Sequence, residues 1–161
     1  MPAGWRRVAR DGGVEEGYLG NGTWVHARDA RYAAHDVITI GCAGVTRDDY
    51  IDPTHALEGS YDRSGRPGVG LVLQFRTADE ASAYFRLYRS QVAACQNATD
   101  PVRTQLVSSP TGLIDRRTYP DGQWTEVANS VGPRLVLILL SDPGHQISAA
   151  AAQQILAQIG R

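Results

Sequence analysis

The sequence predicts an α+β fold, a mostly antiparallel β-sheet of about six to seven strands with two main helices packed on it. Segments with period-2 apolar alternation are joined by hairpin-length turns, so neighbouring strands should run antiparallel. Residues 68–97 combine a strand, a helix-capping sequence and an apolar helical stripe. A second helical pattern begins at Ser148 and closes the chain. The length of 161 residues suits one domain, 1–161.

The first elements are short. Residues 1–22 form a glycine-rich arm, in which Asn21 and Gly22 predict a hairpin turn because both tolerate positive φ. The alanine spacing in residues 28–36 fits a short helix. VITIGC, residues 37–42, predicts the next strand. A hairpin follows, with strands at 55–62 and 69–76 and a turn at 63–68.

The helix within residues 68–97 has a clear start and a clear buried face. Thr77 and Glu80 have capping-box spacing, in which each side chain accepts from an unpaired backbone N–H. The apolar stripe consists of Ala81, Tyr84, Phe85, Tyr88, Val92 and Cys95. Arg86, Arg89 and Gln91 lie outside the stripe and should be exposed to solvent.

The second half of the chain predicts four strands and a terminal helix. The strands are 103–109, 113–119, 123–131 and 134–141. RLVLILLS, the last of them, is apolar on both faces and should be a central strand covered on both sides. The helices are expected on one face of the sheet, so something further would cover the other.

Composition narrows the function classes. The net charge is −1, with no concentrated basic segment, so a nucleic-acid partner is not expected. All 16 basic residues are arginine, which excludes a lysine Schiff base and a P-loop lysine. The longest apolar run, 135–140, is too short to span a bilayer, and the first residues lack the apolar core of a signal peptide.

The two cysteines, Cys42 and Cys95, leave two alternatives open. They form a disulfide in an exported protein, or they are two reduced, buried cysteines in a cytoplasmic one. Each lies on an apolar periodic face, which both alternatives predict. A disulfide would contribute about 4 kcal/mol in the chain-entropy model.

Three segments together resemble a known family: FRTADEASAYFRLYRSQVAACQN, QWTEVANSVGPRLVLILLSDPG and the alanine-rich C-terminal helix. They are similar to the extracellular sensor domain of the mycobacterial serine/threonine protein kinase H, a module also found in actinobacterial lipoproteins. The resemblance covers residues 37–160, the sensor-like core. It implies a sheet flanked by helices, disulfides between strand and helix, and a groove for an unidentified extracellular ligand.

No motif in the sequence indicates a reaction. The GxSxG and GxGxxG patterns and the common His and Cys metal spacings are absent, so no catalytic residue, cofactor or metal is predicted. Aromatic residues and loop histidines are the better candidates for contact with a ligand, since Trp124, Glu126 and Ala128 share a strand face. The candidate ligand-binding residues are Trp124, Glu126, His55, His145 and Tyr61.

Three functional hypotheses follow. The first is a non-catalytic, sensor-like domain of an exported actinobacterial protein that binds a small molecule or a cell-envelope component. Such a protein would be extracellular, or anchored to the membrane through a leader outside this sequence; it would be cytoplasmic if Met1 is the native start. The second is a small enzyme, such as a cyclase or hydrolase, that acts on an apolar metabolite in a closed pocket where His, Asp and Arg converge. The third is a protein-interaction module that uses an exposed sheet face.

Overall fold

A computed structural model describes residues 3–9, 18–19, 23–38, 46–97, 102–107 and 111–160. Within these ranges it contains nine strands and three α-helices. The strands are β1 (Arg6–Arg7), β2 (Tyr18–Leu19), β3 (Val25–Arg28), β4 (His55–Arg63), β5 (Arg66–Gln74), β6 (Arg103–Val107), β7 (Leu113–Tyr119), β8 (Gly122–Val131) and β9 (Arg134–Ser141). The helices are α1 (Ala30–Asp36), α2 (Ala78–Ala94) and α3 (Ala149–Ile159).

The strands form one antiparallel sheet, which confirms the predicted α+β class. Their order is β2-β3-β4-β5-β9-β8-β7-β6, and β1 pairs with β4 beside this path. Seven strands have four residues or more, and β1 and β2 have two each. The chain leaves β5 through α2 and returns as the meander β6 to β9. That return places β9 between β5 and β8, the central position predicted for RLVLILLS.

The helices lie on both faces of the sheet, which corrects the expectation that they share one. Leu135 and Leu137 of β9 belong to a core formed with α1 and α2. Ile138 and Leu140 belong to a second core formed with α3. Successive strand side chains point to opposite faces, so α3 is the element that covers the second face of β9. We call the two sides the α1/α2 face and the α3 face.

The turn between β4 and β5 is shorter than the predicted 63–68. Arg63 and Arg66 pair directly, which leaves Ser64 and Gly65 as the whole turn. Both have positive φ, 54° and 80°, as a type I′ hairpin requires. The right-handed strand twist favours this two-residue turn, so the strands extend into residues expected to be loop.

The N-terminal predictions are tested only in part. β2 and β3 pair antiparallel, as the hairpin prediction requires, but Asn21 and Gly22 lie outside the described residues. The short helix is present as α1, and Asp29 caps it by accepting from the Tyr32 N–H at 2.8 Å. Val37 is the C-cap of α1, so the segment predicted as strand 37–42 begins at a helix end. Residues 39–42 lie outside the described residues.

Helix α2 follows the prediction at its start and along its buried stripe. Thr77 Oγ1 accepts from the Glu80 N–H at 3.1 Å, and Glu80 Oε2 accepts from the Arg76 N–H at 3.0 Å. All six stripe residues are buried. Of the three residues predicted to be exposed, Arg86 is exposed and Arg89 is half-buried, whereas Gln91 is only 8% exposed and accepts a hydrogen bond from Tyr50. A long-range partner makes burial of this amide favourable.

Candidate ligand-binding groove

A cavity of about 400 Å³ opens on the α1/α2 face of the sheet. We call it the α1 groove. Its described lining residues come from α1 and its C-cap, from six strands of the sheet and from the turn between β7 and β8, and none of them belongs to α2. They are Arg28, Ala33, Asp36, Val37, Glu58, Val69, Leu71, Tyr119, Asp121, Trp124 and Leu139. The volume lies within the usual range of small-molecule sites.

The floor of the groove is apolar because alternate residues of adjacent strands point the same way. Val69 and Leu71 of β5 lie beside Leu139 of β9, whose direct partner is Val69. Leu139 is in turn paired with Glu126 of β8, two residues from Trp124 on the same face. Trp124 and Tyr119 add aromatic surface to this floor.

One side of the groove carries a chain of ion pairs. Arg28 donates to Glu58 Oε2 and to Asp36 Oδ2, each at 2.7 Å. Burial alone would lower the pKa of Arg28, but the hydrogen bonds to Glu58 and Asp36 outweigh it and raise that pKa. His26 lies behind this side, with its Nε2 3.6 Å from Glu58 Oε1. Arg28 therefore stays charged and is already held by two carboxylates.

A fully buried charged cluster adjoins the groove. We call it the Arg117 cluster; its members are Asp115, Arg117, Glu126 and Tyr88, and each is at most 1% exposed. Arg117 donates to Asp115 at 3.1 Å and also contacts Glu126 and Tyr88. Burial inside a protein requires such pairing, because an isolated buried charge is very costly.

The Arg117 cluster reaches the groove through two of its lining residues. Arg117 Nη1 donates to the Val37 carbonyl at 3.1 Å and lies 3.4 Å from the Tyr119 hydroxyl. Both Val37 and Tyr119 line the groove. The cluster thus fixes the end of α1 and the ring of Tyr119 relative to the sheet.

Burial favours the neutral form of the Glu126 carboxyl. It is paired directly across the sheet with Asp115, and the two carboxyls face one guanidinium. Burial raises the pKa of Glu126 well above its usual value, against the lowering effect of Arg117. The hydroxyl of Tyr88 has one proton but lies near two acceptors, Glu126 Oε1 at 2.6 Å and the Val37 carbonyl at 3.2 Å. The Tyr88 hydroxyl donates to Glu126 Oε1, and this bond acts against the effect of burial by lowering the pKa of Glu126.

The five predicted ligand-binding residues do not share one site. Trp124 lines the groove, and Glu126 lies in the adjoining cluster. Tyr61 lies on the α3 face, where its ring meets Trp24 edge-on at 5.8 Å between centroids. Gly59 and Gly70 make room for this packing, since a Cβ at either would lie 3.1–3.3 Å from these rings or Ile138.

The two predicted histidines are also remote from the groove. His145 lies with its Nε2 3.4 Å from Thr118 Oγ1, and burial lowers the pKa of its imidazole. Thr118 points to the α3 face, since it alternates with Arg117. His55 starts β4 opposite Gln74, at the end of the sheet far from Trp124, and contacts its neighbour Thr54 at 3.1 Å.

Several groove and cluster residues were not predicted from the sequence, although strand parity marks two of them, Asp115 and Arg117. Asp115 and Arg117 have the same strand parity as Leu113, which is a core position. Charged side chains at core parity indicate a buried, paired cluster. No comparable local signal marked Arg28, Glu58 or Asp121, because the elements that bring them together are far apart in sequence.

Three further features concern the cysteines, a metal site and a membrane-spanning helix. Cys95 is fully buried at the end of α2, and Cys42 lies outside the described residues, so their pairing stays a prediction. Among the described residues, no group of three or more His, Cys, Asp or Glu side chains is arranged to hold a metal ion. None of the helices in those ranges combines the length and the apolar character needed to cross a bilayer.

Comparison with known proteins gives a similarity to a solved structure and no family assignment. No family model matches the chain, and no curated protein matches it. The chain is similar to the extracellular domain of PknH from Mycobacterium tuberculosis, with a TM-score of 0.49 and 16% sequence identity. The similarity covers 99% of this chain and 82% of that domain. At this identity, membership in that family is not established.

Proposed function

We propose that the chain is a non-catalytic ligand-binding domain that holds a small molecule in the α1 groove. The observation that carries the proposal is the groove itself, which joins an apolar floor, two aromatic side chains and a charged side. Concave, mostly apolar sites with a few placed polar groups are the usual form of small-molecule sites.

The placement of titratable groups supports binding over catalysis. The Arg117 cluster is at most 1% exposed, so a ligand in the groove would not touch its carboxyls. Arg28, Glu58 and Asp36 on the groove side hold one another at 2.7 Å. A general acid or base needs access to the reacting atoms. The enzyme alternative predicts His, Asp and Arg together in the pocket, and no histidine is among the lining residues.

We extend the proposal to the compartment. The residues of the α2 and β8–β9 segments resemble the kinase H sensor family, which implies an exported protein with a strand–helix disulfide. The ligand would then be a small molecule or a cell-envelope component met outside the cytoplasm. Cys95 is buried at the end of α2, in a position where a disulfide would tie the helix to a neighbouring segment.

The protein-interaction alternative has one observation in its favour. Leu57 of β4 is 49% exposed on the α3 face, and its direct sheet partner is the half-buried Val72. Val72 is followed across the sheet by Val136, which is also half-buried. This row is short, and the groove is the larger candidate site.

A pair of matched variants tests the groove. Val69 and Val72 are both half-buried on β5, but Val69 lines the groove and Val72 points to the α3 face. Val69→Trp should fill the groove, and Val72→Trp should leave it open. We expect ligand-observed NMR against a library of small organic fragments to find binders that Val69→Trp loses and Val72→Trp keeps.

The two variants also separate the competing functions. Fragments that bind both variants as well as the parent protein would show that the groove is not the site. Binding lost only in Val72→Trp would favour the interaction surface around Leu57. Circular dichroism and thermal unfolding establish that both variants are folded before binding is compared.

A further inference from the structure

We propose that the α1 groove selects an organic cation, a small molecule with an apolar body and an ammonium group. This inference rests on the proposed function and specifies its ligand class. It is argued from the charges, the aromatic side chains and the apolar floor of the groove, taken together.

The charge of the lining is negative. Three carboxylates, Asp36, Glu58 and Asp121, line the groove, and Arg28 is the one guanidinium among the described lining residues. The described part of the lining therefore carries a net excess of two negative charges. His26 beside Glu58 would reduce this excess by one when protonated, but not reverse it. An anionic ligand would be repelled by this surface, and a cationic one attracted.

Arg28 does not offer an open anion site. Its Nη1 and Nη2 are each 2.7 Å from a carboxylate oxygen, of Glu58 and Asp36 respectively. These are the two nitrogens that would bind a carboxylate or phosphate end-on through a pair of hydrogen bonds. A ligand anion would have to displace existing charge-assisted bonds. The Nε of Arg28 is buried and has no hydrogen-bond partner in the described parts of the chain, which leaves one donor for a neutral ligand oxygen.

Asp121 is the carboxylate best placed to meet a ligand charge. It is exposed, lies in the turn between β7 and β8, and forms no ion pair or hydrogen bond within the described ranges. Trp124 lies three residues further on and lines the same groove. A cation near the face of a tryptophan gains a favourable interaction with the ring, and it gains more when the site is partly desolvated.

The floor of the groove favours a ligand whose uncharged part is apolar. Val69, Leu71 and Leu139 provide apolar area that a polar or highly hydrated cation such as a metal ion would not use. An alkyl or aryl body over this floor, with its ammonium group toward Asp121 and Trp124, matches both parts of the lining.

Three aryl probes of similar size, which differ in charge, test the charge preference. They are phenethylamine as the cation, phenethyl alcohol as the neutral analogue and phenylacetate as the anion. We expect isothermal titration calorimetry to give the order cation, neutral, anion, with the cation binding roughly 2- to 30-fold tighter than the alcohol. Val69→Trp should abolish the binding of each probe that occupies the groove.

Two charge variants locate the effect. Asp121→Asn should weaken phenethylamine roughly two- to fivefold, as expected for an exposed charge pair, and leave phenethyl alcohol unchanged. Asp49→Asn is the matched control, because Asp49 is also exposed but does not line the groove. It should change neither affinity.

The outcomes separate the two proposals. If alcohol or phenylacetate binds as tightly as the amine, and Val69→Trp abolishes that binding, the cation inference is wrong and the groove function stands. If the amine binds equally to Val69→Trp, or no probe binds while library fragments do, the cation inference is also wrong. If neither probes nor fragments depend on Val69, both proposals fail.

Discussion

At the scale of single residues, the Arg117 cluster shows how a buried charge is made tolerable. Asp115 and Glu126 are direct cross-strand partners, where two like charges would repel. One guanidinium can neutralise one of them, and burial favours the protonated form of Glu126. Because the cluster holds Val37 and Tyr119, its protonation state bears on the wall of the groove.

The raised pKa of Glu126 predicts a pH-dependent stability. The folded state keeps a proton that the unfolded chain releases above about pH 4.3. The folded state therefore binds more protons than the unfolded state, and the free energy of unfolding falls as pH rises. The contribution is complete below that pH and is lost as pH approaches the folded pKa. The expected slope is about 1.4 kcal/mol per pH unit for one proton.

Glu126→Gln removes this titration while keeping the shape of the side chain and an acceptor for the Tyr88 hydroxyl. Urea unfolding between pH 4.5 and 8 should show a flatter pH dependence for this variant than for the parent protein. Glu80→Gln is the control, since glutamine also suits a capping box. Equal slopes in Glu126→Gln and the parent protein would mean that Glu126 is ionised in the folded state.

At the scale of elements, α2 covers one half of the α1/α2 face of the sheet, and α1 covers the other half. Tyr84 and Tyr88 of α2 are buried, and their hydroxyls donate to the carbonyls of Ala34 and Val37 at 2.7 and 3.2 Å. These bonds connect α2 to the end of α1 across a long stretch of sequence. The groove lies where α1 covers the sheet without α2.

The capping box of α2 should contribute measurably to stability. Thr77→Ala removes the acceptor of the Glu80 N–H, and we expect it to lower the free energy of unfolding by about 1 kcal/mol. Ser90→Ala, at an exposed position of the same helix, is the control and should change it by a few tenths at most. Thermal or urea unfolding measures both. An equal effect of the two variants would contradict the capping role.

At the scale of the whole molecule, the sheet unites distant parts of the chain. β4 and β5 form one hairpin, β6 to β9 form a meander, and the pairing of β5 with β9 joins them. The groove crosses that junction, because Val69 and Leu71 come from β5 while Leu139 and Trp124 come from β9 and β8. Loss of the β5–β9 pairing would remove the site together with the fold.

The predicted Cys42–Cys95 disulfide would add a covalent constraint at this scale. We expect intact mass spectrometry of protein from an oxidising compartment to show two hydrogen atoms fewer than the reduced chain. Reduction should then lower the free energy of unfolding by about 4 kcal/mol. A Cys42→Ala and Cys95→Ala double variant is the control and should not respond to reductant. Two free thiols in the untreated protein would contradict the disulfide.

The features that could be predicted are those encoded by neighbouring residues. The strands 113–119 and 134–141 match β7 and β9, and Thr77 begins α2 as its spacing indicated. Strand parity also placed Trp124 and Glu126 on the same face correctly. Periodicity and capping act over a few residues, so a short stretch of sequence is enough to specify them.

The remaining features depend on contacts between distant segments. Parity assigns a side chain to one of two faces but does not say which helix covers that face, so α3 was misplaced. Gln91 is buried through a hydrogen bond with Tyr50, 41 residues away. The groove and the Asp115–Glu126 pair arise from long-range strand register, which local patterns leave open because register is set by tertiary packing. Trp124 could be proposed from its strand alone, whereas Arg28, Glu58 and Asp121 become its neighbours only when the sheet forms.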